Sequence, residues 1–214
     1  MFKYKEWLNK TVAKYSDAWK LNDTAHRQNH FDDVYRHGVW LNKTLKLGFK
    51  EEQIFAAAYF HDLFAWSRHN HHEMSYHYIL TTDCYIVTEL LGEIGSSDRE
   101  VVAMACKEHR ASFKGVHSYL FTDFFASADR GVASSPTTRV VEVVRRAYHY
   151  SKSTMEDSTE QEILENVLQH MHDKFGTKGY MSYPMVYTKA YEGVIKETQE
   201  AFDSLTLQTI KKLL

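Results

Sequence analysis

Only two prolines, Pro136 and Pro184, interrupt the 214-residue chain. Proline breaks a helix interior because it removes a backbone donor and clashes with the preceding turn. Most of the nine glycines lie between segments whose apolar residues recur at helical intervals, which is where glycine commonly ends a helix. The sequence therefore predicts an all-α fold.

Apolar periodicity locates the individual helices. The predicted helices span residues 2–20, 31–47, 51–62, 74–91, 97–112, 118–130, 137–151, 160–175 and 184–213. No obvious linker divides them, and a chain of this length commonly forms one hydrophobic core. We therefore expect a single domain over residues 1–214, with a core at about 26–131 and a C-terminal helical extension at about 137–214.

Composition narrows the functional classes. No apolar run approaches the ~20 residues needed to cross a bilayer, and the N-terminal residues lack the apolar segment of a secretory signal. Cys84 and Cys106 have neither CxxC spacing nor the number needed for a disulfide framework. A formal net charge of -2 provides no basic field for extended nucleic-acid binding. We expect a cytoplasmic protein with a small substrate and no membrane partner, and a homo-oligomer is left open.

The segment that most clearly predicts a functional site ends in a His-Asp pair. The sequence Ala-Ala-Ala-Tyr-Phe at 56–60 places small residues, which permit close helix packing, directly before His61 and Asp62. Neighbouring helical residues point about 100° apart, so both can reach one cation only near a helix end. An imidazole nitrogen with a carboxylate oxygen suits a divalent metal such as Mn, Mg, Fe, Co, Ni or Zn. The remaining ligands must come from other helices.

Two other segments supply those candidate ligands. Upstream, His30 and His37 stand seven residues apart, two turns along one helical face, and either could bind the metal. Downstream, Asp129 follows small residues that allow its helix to approach a shared site. The sequence thus predicts a metal site of His61, Asp62, Asp129 and one upstream histidine.

The order of these residues resembles the HD superfamily of metal-dependent phosphohydrolases, whose pattern is a histidine, a His-Asp pair and a distant aspartate. His30 is followed four positions later by Val34, as in the first motif of the family, and Ser-Ala-Asp129-Arg130 is similar to its closing motif. The resemblance covers about residues 26–131. It implies a compact HD-type helical domain, a bound divalent metal and hydrolysis of a phosphate ester by an activated water.

The chain departs from the family pattern in two places. In one branch of the family an arginine precedes a His-Asn pair and a later histidine; here that pair is inverted and Asp33 takes the later position. The first ligand could therefore be His30, Asp33 or His37. Leu63-Phe64 stands where many members have Gly-Lys, which leaves the substrate open.

Several side chains near these motifs are candidates for catalysis or substrate binding. Asp62 could orient or deprotonate the attacking water as well as bind the metal. His109 could protonate the leaving group, and several members of the family use a histidine there for a second metal or for the phosphate. The candidates for binding the substrate phosphate are Lys107, Arg110, Arg130 and His72. The ordinary alternative is a helix-terminal charge that interacts with the helix dipole.

A group of histidines surrounds Glu73, namely His69, His71, His72 and His77. Clustered polar loops are usually solvated, so we interpret these residues chiefly as surface histidines. Contact with phosphate or with a second metal is the alternative.

The sequence thus predicts a phosphohydrolase acting on a nucleotide or another small phosphate ester. A phosphodiesterase acting on a cyclic nucleotide or an oligonucleotide is one alternative. A non-catalytic helical metal-binding protein is another, although the Glu-x-x-His repeat of di-iron carriers does not occur. A second His-Asp pair, His172-Asp173, lacks an alanine-rich approach and is predicted to lie near a helix end.

Overall fold

The computed structural model describes residues 2–83, 85–92, 95–131 and 135–214, and the regular structure in these ranges is helical throughout. The prediction of an all-α fold is confirmed. None of the described helices has the length and apolar character needed to cross a bilayer. The helices are α1 (Tyr4–Trp19), α2 (Gln28–Thr44), α3 (Glu51–Phe60), α4 (His71–Thr81), α5 (Tyr85–Leu90), α6 (Gly95–Glu108), α7 (Leu120–Asp129), α8 (Pro136–Thr154), α9 (Glu160–Phe175), α10 (Met185–Ala190), α11 (Val194–Asp203) and α12 (Leu207–Leu213).

Backbone contacts divide the chain into two compact units. Unit 1 comprises Met1–Gly131 and Tyr183–Ala190, and unit 2 comprises Val132–Ser182 and Tyr191–Leu214. Residues 26–131, the predicted core, lie in unit 1. The predicted C-terminal extension contributes to both units, because α10 belongs to unit 1.

Unit 1 is built around α3, which is buried from Gln53 to Phe60. Small residues let the neighbouring helices approach it closely. A Cβ on Gly38 of α2 would lie only 2.9 Å from Cγ2 of Ile54 on α3 and 3.6 Å from Cβ of Ala128 on α7. The helices that carry the His30, His61 and Asp129 motifs therefore pack directly against one another.

Aromatic side chains line the core beside the His-Asp pair. The rings of Phe31 and Phe125 lie edge-on to the His61 ring, with centroid distances of 5.8 and 5.3 Å. Both phenylalanines are fully buried. Burial of each such side chain contributes about 1.5–3 kcal/mol. Two buried apolar rings therefore lie directly against the imidazole of His61.

The helix predicted over 74–91 is interrupted. Helix α4 ends at Thr81, and the guanidinium of Arg99 on α6 donates hydrogen bonds to the carbonyls of Ile79 and Thr82. Carbonyls at a helix end need such partners. Cys84, predicted to be helical, lies outside the described residues.

The helix predicted over 184–213 is three helices. Gly193, with a φ of 86°, adopts the left-handed conformation that glycine tolerates and separates α10 from α11. The side chain of Thr206 then caps α12 by accepting a hydrogen bond from the Thr209 amide at 3.2 Å. Local backbone conformation overrides the apolar repeat in both places.

Unit 2 is a small helical bundle of α8, α9, α11 and α12. Its interior contains the fully or nearly fully buried side chains of Val144, Val167, Met171, Phe202 and Ile210.

Candidate metal centre

The predicted ligands converge within unit 1. Nε2 of His30 lies 3.2 Å from Nε2 of His61, and Oδ1 of Asp129 lies 3.4 and 3.6 Å from these two nitrogens. Oδ2 of Asp62 lies 3.3 Å from His61 Nε2 and 3.7 Å from His30 Nε2. Donor atoms of His30, His61 and Asp62 are close enough together to hold one metal ion.

The alternatives to His30 do not reach this group. His37 is buried farther along α2, where its Nδ1 donates to the Ala128 carbonyl at 2.8 Å and its ring stacks on Trp40. Asp33 has a half-exposed side chain that is bonded to Arg36. Of the three residues left open by the sequence, His30 is the one at the centre.

Asp62 presents its other oxygen to two further histidines. Oδ1 lies 3.3 Å from Nε2 of His71 and 3.4 Å from Nε2 of His109. It is buried and makes no hydrogen bond to any residue that the structure describes. These three side chains form a second group that could hold a metal ion. One carboxylate therefore has potential metal ligands on both of its oxygens.

Backbone carbonyls fix the orientation of three imidazoles. Nδ1 of His61, His71 and His109 in each case donates to the carbonyl three residues earlier. The acceptors are Ala58 at 2.9 Å, Arg68 at 3.1 Å and Cys106 at 2.6 Å. Metal-binding histidines commonly donate their second ring nitrogen in this way, which fixes the tautomer and leaves Nε2 for the metal. The donor set therefore fits a divalent cation.

Two polar side chains hold the turn that carries the His-Asp pair. The Asn22 amide donates to the carbonyl of Asp62 at 2.9 Å, and its oxygen accepts from the Trp66 amide at 2.9 Å. The Ser75 hydroxyl donates to the carbonyl of His61 at 2.9 Å. These carbonyls follow the end of α3, where helical partners are lacking. The pair is thus fixed through its backbone as well as its side chains.

Replacing Asn22 by alanine should lower the free energy of unfolding by about 2 kcal/mol, because buried groups lose their partners. It should also weaken cation binding roughly 10-fold, since the support of Asp62 is lost. Urea denaturation and calorimetric titration with Mn²⁺ measure the two effects.

A matched control is Asn42→Ala, because Asn42 similarly bonds both the amide and the carbonyl of Phe49, away from the centre. This variant should lose stability but keep its cation affinity. Equal affinities in the two variants would contradict the positioning role of Asn22.

Burial and charge act in opposite directions on the protonation of the centre. Burial disfavours a charged His61, but the carboxylates of Asp62 and Asp129 outweigh it and raise the pKa of His61 to about 10. Burial likewise opposes ionisation of the two carboxyls, yet the facing imidazoles hold the pKa of each well below its usual range. Burial lowers the pKa of His30, and that of His71 to about 4. When no metal is bound, we therefore expect His61 to be protonated at neutral pH, between the two carboxylates.

Cation binding should therefore release about one proton at pH 7, because the metal needs the Nε2 lone pair of His61. Protonation of His61 should also stabilise the folded protein when no metal is bound, because the pKa of His61 is higher in the folded state than its unfolded value of about 6.5. This contribution to the free energy of unfolding is complete below pH ~6.5 and is lost as the pH rises through 10. Calorimetry in buffers of different ionisation enthalpy measures the release. A binding enthalpy independent of the buffer would contradict this prediction.

Arg130 is buried beside Asp129, with its Nη1 3.7 Å from Oδ2 of that carboxylate. Its side chain is only 2% exposed. Nη1 donates to the carbonyls of His109 at 2.6 Å and Ala126 at 3.2 Å, while Nη2 donates to the Arg110 carbonyl at 3.1 Å. These contacts give the guanidinium a structural role, because it holds the backbone that carries His109. Substrate binding by Arg130 stays a prediction.

The other predicted substrate-binding residues lie on the His71 side of the centre. Arg110 is close enough to lower the pKa of both His71 and His72, in addition to the larger effect of burial. Nδ1 of His72 is buried and makes no hydrogen bond within the described ranges. Lys107 is engaged by Glu73 at 3.3 Å and by the ring of Tyr76. Substrate binding by Arg110, His72 and Lys107 stays a prediction.

Two histidines at the centre were not singled out as metal ligands from the sequence. The surface position predicted for His71 is wrong, because the residue is buried and faces Asp62. The neighbouring Glu73 and Ser75 are the available signal in the sequence. His26 also approaches the centre, with Nε2 3.8 Å from Oδ2 of Asp62. Its position four residues before His30 was the only local sign.

Comparison with known proteins gives no match to a family model, to a curated protein or to a solved structure. Resemblance to the HD superfamily therefore stays a prediction, and the functional assignment depends on the geometry of the centre.

Proposed function

We propose that the chain is a metal-dependent phosphohydrolase that acts on a nucleotide or another small phosphate ester. The observation that supports this function is the position of Asp62 between two groups of candidate metal ligands, most of which are buried. When bound, divalent cations at such a site supply Lewis acidity and lower the pKa of a coordinated water. The imidazole-rich donor set favours Mn, Fe, Co, Ni or Zn over Mg, which prefers oxygen ligands.

We divide the side chains into two groups around the shared carboxylate, although His109 also lies within reach of His61 and Asp129. His30, His61 and Asp129 would hold the first cation together with Oδ2 of Asp62. His71 and His109 would hold the second together with Oδ1. Because Nε2 of His109 faces Asp62 and Nδ1 is bonded to a carbonyl, we assign His109 to metal binding in place of the predicted acid catalysis.

Residues around the metal ligands complete the proposed site. The guanidinium of Arg110 and the imidazole of His72 would bind the phosphate group of the substrate, since both lie beside His71. The buried rings of Phe31 and Phe125 pack against the His61 ring and exclude water there. Because these rings keep water away, the effective dielectric is low, and charges at the centre would interact more strongly with the phosphate of the substrate.

The proposal is tested by elemental analysis together with a substrate screen. Purified protein, stripped and reloaded with Mn²⁺, Fe²⁺, Co²⁺, Ni²⁺, Zn²⁺ or Mg²⁺, is assayed against nucleoside monophosphates, cyclic nucleotides, short oligonucleotides and generic phosphate esters. We expect metal-dependent release of phosphate from a monoester. Cleavage restricted to diesters would assign a phosphodiesterase. Stoichiometric metal binding without cleavage of any ester would instead indicate a non-catalytic metal-binding protein.

A further inference from the structure

A fifth imidazole stands at the rim of the metal centre. His26 lies in the segment before α2, with its side chain 23% exposed. Its Nε2 is 3.8 Å from Oδ2 of Asp62, the oxygen that also faces His30 and His61. Its ring centroid is 5.7 Å from that of His30. His26 is therefore on the side of the first cation position.

A carboxylate orients this imidazole. Nδ1 of His26 lies 2.7 Å from Oδ1 of Asp23, and the same oxygen accepts a hydrogen bond from the Ala25 amide at 2.9 Å. An aspartate that accepts from one ring nitrogen while the other binds a cation is a recurring arrangement around metal-binding histidines. Asp23 thus fixes the tautomer in which Nε2 carries the lone pair.

The side chain of Arg68 lies against the His26 ring. Its Nη1 is 3.3 Å from Nδ1 and 3.2 Å from Nε2, about equally near both ring nitrogens. The Arg68 side chain is 52% exposed, so it can leave this position when a cation occupies it.

The backbone of His26 is tied to the His-Asp turn. The side-chain amide of Asn22 donates at 2.9 Å to the carbonyl of His26 and at 2.9 Å to the carbonyl of Asp62. Nε of Arg27 donates to the Asn22 carbonyl at 3.1 Å. These hydrogen bonds fix the position of the segment that carries His26 relative to Asp62.

From this geometry we infer that His26 is an additional ligand of the first cation, an inference that rests on the proposed metal centre. The first position then has five side-chain ligands: His26, His30, His61, Asp62 and Asp129. The second has three: Asp62, His71 and His109. For a six-coordinate cation this leaves one place at the first position and three at the second. Substrate and water therefore bind at the second cation, beside Arg110 and His72, and the first cation is the more tightly held.

Titration of the metal-free protein with Co²⁺ tests this asymmetry, because its visible absorption responds to ligand number and type. The wild-type protein should show a tight and a weaker binding event. His26→Ala should weaken the tight event roughly 10- to 100-fold and alter its spectrum, without changing the weaker event. His71→Ala should affect only the weaker event. His69→Ala, which removes an exposed histidine of the neighbouring segment, is the matched control and should bind as the wild type does.

Circular dichroism shows whether each variant is folded. Unchanged affinity and spectrum in His26→Ala would overturn the ligand role of His26 while leaving the proposed function intact. If His26→Ala fails to fold, Asp23→Ala decides: its tight event should weaken about 10-fold, and wild-type affinity would overturn the inference. A wild-type protein that binds no Co²⁺ would overturn both the inference and the proposed metal centre.

Discussion

Asp62→Asn should reduce kcat/KM for the best substrate by about 10³-fold, which corresponds to a loss of ~4 kcal/mol of transition-state stabilisation. The amide keeps the size of the carboxylate but has no negative charge and cannot offer oxygen ligands on both sides. The variant should therefore bind at most one cation per chain. Steady-state kinetics and elemental analysis after reloading measure the two effects.

The second His-Asp pair provides the control for this experiment. Asp173 lies next to His172 near the end of α9, and its carboxylate is exposed and bonded to Gln169 at 2.7 Å. Asp173→Asn should leave both turnover and metal content unchanged. Full turnover in Asp62→Asn would be incompatible with a catalytic centre organised around Asp62.

Arg130→Met should lower the free energy of unfolding by about 3–5 kcal/mol, as expected when a buried charged partner is removed. The loss has two sources: three backbone carbonyls lose a donor, and Asp129 loses a cation whose Nη1 lies 3.7 Å from its Oδ2. Because one of those carbonyls belongs to His109, affinity for the second cation should fall as well. Urea denaturation and Co²⁺ titration measure the two effects.

Arg130→Lys should not restore stability, since one ammonium cannot reproduce the planar set of donors that a guanidinium offers. The control is Arg146→Met, in which an exposed arginine of α8 is replaced; its stability should change by no more than ~0.5 kcal/mol. Wild-type stability in Arg130→Met would contradict the assigned structural role.

Three of the candidate ligands could be predicted because each belongs to a local pattern. His61 and Asp62 follow a run of small residues at a helix end, and Asp129 ends another helix that carries small residues. The choice of His30 over His37 could not be made from spacing, because both occupy one face of α2. Only the packing of α2 against α7, where His37 bonds the Ala128 carbonyl, separates them.

Features that depend on distant contacts escaped prediction. His71 faces Asp62 because the chain turns back on itself between α3 and α4, and no helical repeat encodes that turn. Helix α10 belongs to unit 1 partly because the Asp123 carboxylate accepts from the amides of Met185 and Val186, at 2.9 and 2.7 Å, across some sixty positions of sequence. Likewise, sequence cannot show whether a basic side chain such as Arg130 points toward carbonyls or toward a ligand.

The anchoring of His61, His71 and His109 by their own chain has a consequence for metal selectivity. Since each ring is locked by a carbonyl three residues away, an incoming ion meets side chains that are already immobilised, and little conformational freedom is lost on binding. These three imidazole rings cannot rotate to accommodate an ion of a different radius without losing their hydrogen bonds to the backbone carbonyls. In the proposed metal centre, discrimination between metals would therefore be set by the distances between the supporting helices. We expect a substitution in the hydrophobic interior that changes these distances to change which ion is preferred.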